Sequence, residues 1–381
     1  MIKVFLILIL LISYISNQAQ DAKFDSLINK GISQIYNIQF DEAKTTFSKV
    51  IKDYPKNPAG KFFNAMIVWW QIMLDIENES YDDSFCDKLE DVIDMCDDIL
   101  DENPNNANAL FFKGGAIGFR GRLYTYRESW FKAALDGKDA LPLISEIYKA
   151  DPSNVDVQLG FGIYNYYAEL DHEKYPALKP LLAFLPNGDK KHGLKQLKYV
   201  AEKGKFAKYE TQYFLAQIYN KYEKDFDSAF EIMNSLCDNF PNNPVFQKYK
   251  GMILVRKKDY SAAKILFNDI LIRCNKNFIG YTKRTKREAN YYLGYIDYIA
   301  NNFSNAIPYL EESKRISLII DKDNDTESKV NTILFLAKCY DATYNRTKAK
   351  ELYNMVLDLE DKGNSHNQAE KYLKTPFTPN K

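Results

Sequence analysis

Histidine and cysteine are scarce in this chain of 381 residues. The three histidines, His172, His192 and His366, and the five cysteines do not have the spacing of a zinc site or a Cys-His site. The sequence also lacks the phosphate-binding P-loop and the G-x-S-x-G turn that carries a hydrolase nucleophile. We therefore predict that the protein is not an enzyme and holds no metal ion or cofactor.

Net charge is absent as well, because 51 basic and 51 acidic residues cancel. No run of like charges is long enough to form a basic arm or an acidic tail. A chain without a net positive field has no electrostatic means of recruiting nucleic acid, so nucleic acid is not an expected partner. The composition, 46% hydrophobic and 27% charged, is that of an ordinary folded protein.

Long apolar runs are missing except near the N-terminus. There the apolar run from Val4 to Ile15 follows the single charge of Lys3 and precedes small and polar residues around Ala19. This pattern is typical of a signal peptide. A retained membrane anchor is the alternative, but the run is shorter than the roughly 20 residues that cross a bilayer. We predict a signal peptide at residues 1–19, no further membrane span, and export to the periplasm or the periplasmic face of the outer membrane.

Disulfides are not expected. Cys86 and Cys96 lie on one predicted helix, about 15 Å apart by the helical rise, which exceeds the reach of a disulfide. Cys237, Cys274 and Cys339 lie among apolar residues. We predict that the cysteines are buried free thiols that pack as small hydrophobic side chains.

A spaced triplet of residues recurs along the chain: a small residue, an alanine twelve positions later, and a large apolar residue four positions after that. The triplets are Gly31, Ala43 and Phe47; Gly251, Ala263 and Phe267; Gly294, Ala306 and Leu310; and Ala337, Ala349 and Tyr353. The spacing predicts helix-turn-helix units in which small residues let two helices approach closely. Pro55 and Pro241 fall where a second helix would end.

These triplets resemble the tetratricopeptide repeat (TPR), and the resemblance covers most of the chain after residue 19. It implies an all-α TPR-like helix-turn-helix solenoid, a right-handed superhelix, of about eight hairpins. We predict TPR-like repeats at 21–106 and an atypical glycine- and aromatic-rich region with a proline-rich insertion at 107–205. Regular TPR repeats at 206–360 and a capping helix and tail at 361–381 complete the predicted organisation.

The central stretch "GGAIGFRGRLYTYRESWFKAALDG" departs from the regular repeats. Gly114, Gly118 and Gly121 fall at i, i+4 and i+7 of one helix and predict a smooth stripe on one face. Because each glycine costs a helix about 1 kcal/mol relative to alanine, we predict that a neighbouring helix packs closely on this stripe. A ligand that needs access to the backbone is the alternative.

The charged and aromatic residues of the same region allow two interpretations. In the first, Arg122 or Arg127 pairs with Asp136 or Glu128 and braces the long helix. In the second, the region lines a groove for a planar anion, which arginine recognises with two parallel hydrogen bonds. The candidate binding residues are Arg120, Arg122, Tyr124, Arg127, Tyr164, Asn165 and Tyr167. Arg120 and Arg122 leave a helix about 200° apart, so at most one can face the groove.

The next stretch, from Leu159 to Leu197, resembles a particular TPR family. The matching features are Gly160 and Gly162, the "YN" at Tyr164, the connection "LKPLLAFLPNGD", and "GLKQL". This order is similar to that of a eukaryotic TPR family which includes the mitochondrial outer-membrane protein associated with clearing inclusion bodies. The resemblance implies a shared architecture for this part of the chain.

The sequence as a whole indicates an exported TPR scaffold that mediates protein-protein interaction in the bacterial cell envelope. The alternative is a binding module for an anionic small molecule, a peptide carboxylate or a glycan in the central groove, and the third possibility is a hydrolase. A broad strip of aromatic and polar residues would favour the scaffold, whereas one deep pocket around Arg120 and Tyr164 would favour the ligand module. The identity of the partner and the oligomeric state are left open.

The signal peptide gives the first testable prediction. The exported protein should begin near Gln20 or Asp21, because the residues before them carry the small and polar pattern of a cleavage site. Intact-mass measurement of the protein recovered from the envelope checks this. A retained Met1, or partition of the protein into a detergent phase, would contradict export with cleavage.

Overall fold

The computed structural model describes residues 22–169, 188–321 and 324–379. The predicted signal peptide at 1–19 and most of the proline-rich insertion, with His172, lie outside the described residues. Across the described ranges every regular element is helical and no strand occurs. The predicted all-α class is therefore confirmed.

Seventeen α-helices follow one another in the described ranges. They are α1 (22–36), α2 (Phe40–Asp53), α3 (Ala59–Leu74), α4 (Asp82–Glu102), α5 (Ala107–Tyr126), α6 (Trp130–Ala150), α7 (Gln158–Glu169), α8 (Lys190–Lys203), α9 (Lys208–Ile218), α10 (Phe226–Asn239), α11 (Pro244–Arg256), α12 (Tyr260–Asn275), α13 (Lys283–Ile299), α14 (Phe303–Ile320), α15 (Glu327–Ala342), α16 (Arg346–Leu357) and α17 (Ser365–Lys374). In chain order they form eight pairs, from α1/α2 to α15/α16, and α17 follows. The predicted count of eight hairpins is confirmed.

Most turns inside the pairs share a backbone conformation that the sequence does not predict. In six of them a residue other than glycine has a positive φ of 53° to 63° shortly before the second helix. These residues are Ile38, Glu128, Lys224, Lys258, Asn301 and Tyr344. Residues other than glycine and asparagine are disfavoured in the left-handed region of φ and ψ. Packing of the two helices must therefore hold these turns in place.

Polar side chains cap several of the second helices. Asp225 accepts a hydrogen bond from the backbone N–H of Ser228 at 3.1 Å, and Asp259 accepts one from Ala262 at 3.1 Å. Gln39 and Asn302 precede α2 and α14 without a capping hydrogen bond from their side chains. Capping by Asp, Ser or Asn is therefore a feature of some turns and not of the repeat as such.

The contact between the small and the large residue is confirmed for the three triplets that begin with glycine. A Cβ added at Gly31 would lie 2.2 Å from the Phe47 ring, at Gly251 2.5 Å from the Phe267 ring, and at Gly294 2.6 Å from Leu310. The three large side chains are fully buried. Each one lies directly on the backbone of the preceding helix, which leaves no room for a methyl group at the glycine.

The chain divides into two compact units, Met1–Leu215 and Ala216–Lys381. The core of the first unit is strongly aromatic: the Phe63 ring stacks on Phe47 at 5.5 Å between centroids and meets Phe112 edge-on at 6.1 Å. The second unit contains one buried cluster around Phe267 and another around Tyr353. The boundaries predicted at residues 106, 205 and 360 stay predictions.

The predicted close packing on Gly118 is wrong. Gly118 is exposed, and no atom lies within 4 Å of an added Cβ, whereas Gly114 and Gly121 do face α6. A helix turns about 100° per residue, so Gly114 and Gly121 lie within about 20° of each other around the axis. Gly118 lies about 40–60° away from both by the same geometry, which points it toward solvent.

The predicted buried free thiols are confirmed for four of the five cysteines, and Cys86 is partly exposed. Burial raises the pKa of Cys96 and Cys237 to about 12. A thiol with so high a pKa carries almost no thiolate at neutral pH and is a poor nucleophile. These side chains serve the packing of the helices.

Gly31 and Gly118 offer a matched pair of substitutions in the first unit. Gly31→Ala should lower the free energy of unfolding by about 1–3 kcal/mol, because its methyl group enters the space of the buried Phe47 ring. Gly118→Ala should raise the free energy of unfolding by up to about 1 kcal/mol, because alanine has a higher helix propensity than glycine at an exposed position. Urea unfolding followed by circular dichroism measures both. Equal shifts for the two variants would contradict the close contact at Gly31.

Candidate functional site

Arg120 on α5 connects three helices of the first unit. Its Nε and Nη2 donate to the two carboxylate oxygens of Asp136 on α6 at 3.0 and 2.7 Å, and its Nη1 donates to Glu90 on α4 at 2.6 Å. Asp136 is buried, and this pair supplies it with a cationic partner. A brace to Asp136 was predicted for Arg122 or Arg127, and that choice of arginine was wrong.

Arg127 fastens the end of α5 to the start of α4. Its Nε and Nη2 donate to Asp82 at 2.5 and 2.9 Å, and its Nη1 donates to the carbonyl oxygen of Ile76 at 2.5 Å. The guanidinium thus uses both edges of its planar fork on groups of the same chain. Glu128, the other predicted partner, instead occupies a turn position with positive φ.

Arg122 leaves α5 on a different side and enters an aromatic cluster. Its guanidinium carbon lies 4.9 Å from the Trp69 ring centroid and 5.6 Å from that of Phe214, which are cation-π contacts. Its Nη1 donates to the carboxylate of Glu210, 88 residues later in the chain. The carboxylate that Arg122 holds in this structure therefore belongs to the protein itself.

Glu210 is buried and has a second donor, the Tyr36 hydroxyl at 3.2 Å. Burial raises the pKa of Tyr36, and the charge of Glu210 raises it further. Tyr36 therefore keeps its proton and serves as a donor. The Glu210 carboxylate receives one charged and one neutral hydrogen bond, as a buried charge requires.

The segment 205–215 fills the centre of the first unit and brings Glu210 to Arg122. Buried Asp156 fixes its start by accepting the backbone N–H groups of three consecutive residues, at 2.9, 2.8 and 3.2 Å. Farther along, the Tyr213 ring lies 5.9 Å from Trp70. The region that the sequence suggested as an open groove is thus occupied by the chain's own helix α9.

The remaining candidate residues separate into different surroundings. Tyr167 lies with Arg122, since its ring centroid is 5.9 Å from that of Phe214. Tyr124 receives the Lys132 ammonium at 5.3 Å over its ring, and Asn165 donates to Gln196 at 2.8 Å. Tyr164 is partly buried on α7. The structure brings Arg122 and Tyr167 together and places Arg120, Tyr124 and Arg127 elsewhere.

A shallow cavity of about 310 Å³ opens beside Arg120 between α4, α5 and α6. It is lined by Glu90, Ile93, Asp97, Lys113, Ile117, Arg120, Asp139 and Leu143. Three carboxylates therefore face two cations, and Arg120 and Lys113 already form ion pairs with residues of the same wall. This lining is not complementary to an anionic ligand.

A different surface stands out in the second unit. Tyr291, Tyr295 and Tyr298 fall at i, i+4 and i+7 of α13 and are partly exposed, with Phe335 of α15 beside them. The Phe335 ring centroid lies 5.3 Å from Tyr295 and 4.9 Å from Tyr298. We call these four residues the tyrosine face. The stretch "YYLGYIDY" at 291–298 contains the three tyrosines at this helical spacing around Gly294, the first residue of a predicted triplet.

Two absences can be stated for the described part of the chain. Between residues 22 and 379, outside the gaps at 170–187 and 322–323, no three histidine, cysteine, aspartate or glutamate side chains are arranged to hold a metal ion. In the same ranges no helix combines the length and the apolar composition that crossing a membrane requires.

Comparison with known proteins identifies the repeat. The sequence matches the tetratricopeptide repeat family at residues 25–57 and 210–243. No curated protein matches it. Solved structures are also similar at low identity, and three of them are described below. The C-terminal part of a TPR repeat-containing protein from Cytophaga hutchinsonii is 14% identical with a TM-score of 0.34, and the match covers 80% of this chain and 98% of that one.

The other two are TPR structures as well. The TPR domain of P58(IPK) is 15% identical over 92% of this chain and 98% of its own, with a TM-score of 0.27. Yeast Tom70 is 11% identical over 93% of this chain and 96% of its own, with a TM-score of 0.29. Similarity at this level carries no argument about partners.

The Arg122–Glu210 pair yields a stability prediction. Arg122→Ala should lower the free energy of unfolding by about 3–5 kcal/mol, because it leaves the buried Glu210 carboxylate without its cation. Adding Glu210→Gln should recover part of this loss, since the neutral amide has no charge to compensate. Urea unfolding of the two single variants and the double variant measures the coupling. Additive effects of the two substitutions would contradict a buried ion pair.

Proposed function

This chain is a tetratricopeptide-repeat protein, and from that premise we propose that it is an exported scaffold that binds a protein partner in the bacterial cell envelope. The repeats suggest protein-protein interaction. The apolar N-terminal run with its single positive charge supports export. The tyrosine face is the surface that we assign to the partner.

The tyrosine face carries this proposal. Its four rings belong to the first helices of two neighbouring hairpins, so a partner that lies on it contacts two repeats at once. Tyrosine supplies large contact area at a low cost in side-chain entropy and is enriched among residues that dominate binding energy. The rings also hold one another: Tyr291 stacks on Tyr295 with an interplanar angle of 13° and 6.2 Å between centroids. The face is therefore ordered before a partner arrives.

The central arginines support the alternative, an anion-binding module, less well. Arg120, Arg122 and Arg127 each donate to a carboxylate of the same chain. An anionic ligand would have to replace one of these carboxylates and leave it unpaired in a partly buried site, which is costly. We therefore assign the central arginines to bracing and the tyrosine face to binding.

Site-specific crosslinking tests the assignment. The photoreactive amino acid p-benzoylphenylalanine at position 295 should form an adduct with one envelope protein, because Tyr295 lies in the middle of the tyrosine face. Position 344 is the matched control, since Tyr344 is also a tyrosine of the second unit but is 96% exposed in a turn. We expect no specific adduct there. An adduct at 344 alone, or adducts at neither position in the native envelope, would contradict the proposal.

A further inference from the structure

The tail of the chain returns to one end of the tyrosine face. After α17 ends at Lys374, the residues up to 379 are not helical, and all of them except Phe377 are exposed. The Phe377 ring is partly buried, with centroids 5.4 Å from Tyr372, 6.1 Å from Tyr298 and 6.2 Å from Phe303. A single side chain thus anchors this segment.

The floor of the Phe377 site is a buried lysine surrounded by aromatic rings. The Lys338 ammonium lies 5.4 to 6.0 Å from the ring centroids of Tyr298, Phe335, Tyr372 and Phe377. It donates to the neutral side chain of Gln368 at 2.8 Å. Burial lowers the pKa of Lys338 to about 8. An ammonium among three aromatic rings attracts a fourth aromatic ring more strongly than an aliphatic side chain, because the ring adds a cation-π contact.

One wall of the Phe377 site is the Asp341 carboxylate, which accepts a hydrogen bond from the backbone of the tail. The Asp341 carboxylate is almost fully buried and accepts the backbone N–H of Phe377 at 2.9 Å. It also accepts hydrogen bonds from Arg346 Nη1 at 2.9 Å and from the Tyr353 hydroxyl at 3.1 Å. These two donors belong to α16 and are not part of the tail. Asp341 is therefore held ready for the N–H of an extended segment.

We propose that this pocket, formed by Tyr298, Phe335, Lys338, Asp341 and Tyr372, is a peptide-binding site whose ligand is an extended segment of another protein with a phenylalanine or tyrosine, and that Phe377 occupies it in cis until that segment binds. The inference rests on the proposed scaffold function and specifies the partner at one end of the tyrosine face.

The sequence of the tail shows what the pocket accepts. Pro376 and Pro379 flank "FT" and restrict the backbone to extended conformations, and Thr375 before Pro376 has φ −128° and ψ 123°. The tail therefore loses little chain entropy when it binds, and the same holds for a partner segment with prolines beside its aromatic residue. Aromatic ring, backbone N–H and extended chain are the three features that the pocket contacts.

The position of the tail also explains how a partner can displace it. Tethering gives Phe377 an effective concentration in the millimolar range, about what a short flexible link provides. The ring contacts of Phe377 with α13 are at Tyr298, the last tyrosine of the face. A longer segment that also lies on Tyr291 and Tyr295 gains contacts beyond those of the Phe377 ring and can compete with the tethered tail.

A labelled peptide tests the inference on the full-length protein. The probe is the sequence "KTPFTPNK", residues 374–381, with fluorescein at its N-terminus, followed by fluorescence anisotropy. The Phe377→Ala variant should bind it at least tenfold more tightly than the parent, because its own pocket is empty. The same peptide with alanine in place of phenylalanine should not bind. Thr378→Ala, which changes the exposed neighbour of Phe377, should behave like the parent.

Two further arms keep the outcome decisive. Phe377→Leu retains an apolar anchor and should give intermediate peptide affinity, which is informative even when the alanine variant melts early. Tyr298→Ala added to Phe377→Ala should abolish the gained binding. Equal binding of the probe to the parent and to both Phe377 variants, or equal binding of the phenylalanine and alanine peptides, would overturn the inference.

The remaining outcomes separate this inference from the scaffold proposal. A parent dimer that dissociates in Phe377→Ala would assign the pocket to the tail of a second copy and overturn its assignment to another protein. Failure of peptide binding while position 295 still crosslinks would reject the tail inference and leave the scaffold proposal intact. Peptide binding without a crosslink at position 295 would support the pocket as a peptide-binding site. It would reject the tyrosine face as the surface that binds the partner.

Discussion

The contact of a large buried side chain with the bare backbone of the preceding helix determines the architecture. At Gly31, Gly251 and Gly294 the ring or branched side chain sits where a Cβ would be, so the two helices of each hairpin approach to a fixed distance. Close packing of this kind leaves few alternative arrangements and places successive first helices side by side. The Gly294 contact fixes α13, the helix that carries three of the four rings of the tyrosine face.

Both units pair arginines with carboxylates of the chain, and the second unit also carries the tyrosine face. In the first, Arg120, Arg122 and Arg127 each hold a carboxylate of the chain, and α9 brings Glu210 into the centre. Such pairs are costly to break, so they fasten helices and leave little for a ligand. In the second unit, a partly exposed set of aromatic rings lies over neighbouring hairpins. Next to these rings Lys338 donates to Gln368 of α17, and Asp341 accepts hydrogen bonds from α16 and from the tail. The surface that we propose for a partner lies there.

The sequence predicted what depends on local spacing and missed what depends on distant contacts. The triplet that begins at Gly31 was identified correctly because its spacing follows from the length of one hairpin. The stripe at Gly118 failed because i+4 and i+7 positions differ by about 60° around a helix axis. Glu210 could not be assigned to Arg122, since 88 residues separate them and no local pattern encodes that contact. The pairing of Phe377 with Tyr298 was missed for the same reason.

Hydrogen exchange on the full-length protein, alone and bound to the envelope protein captured through position 295, tests the central claim most directly. The claim is that the partner binds the tyrosine face and displaces the tail. The account predicts slower exchange of the α13 and α15 amides in the complex and faster exchange of the Phe377 amide, which loses its bond to Asp341. Slower exchange confined to residues 107–126, with Phe377 unchanged, would contradict it.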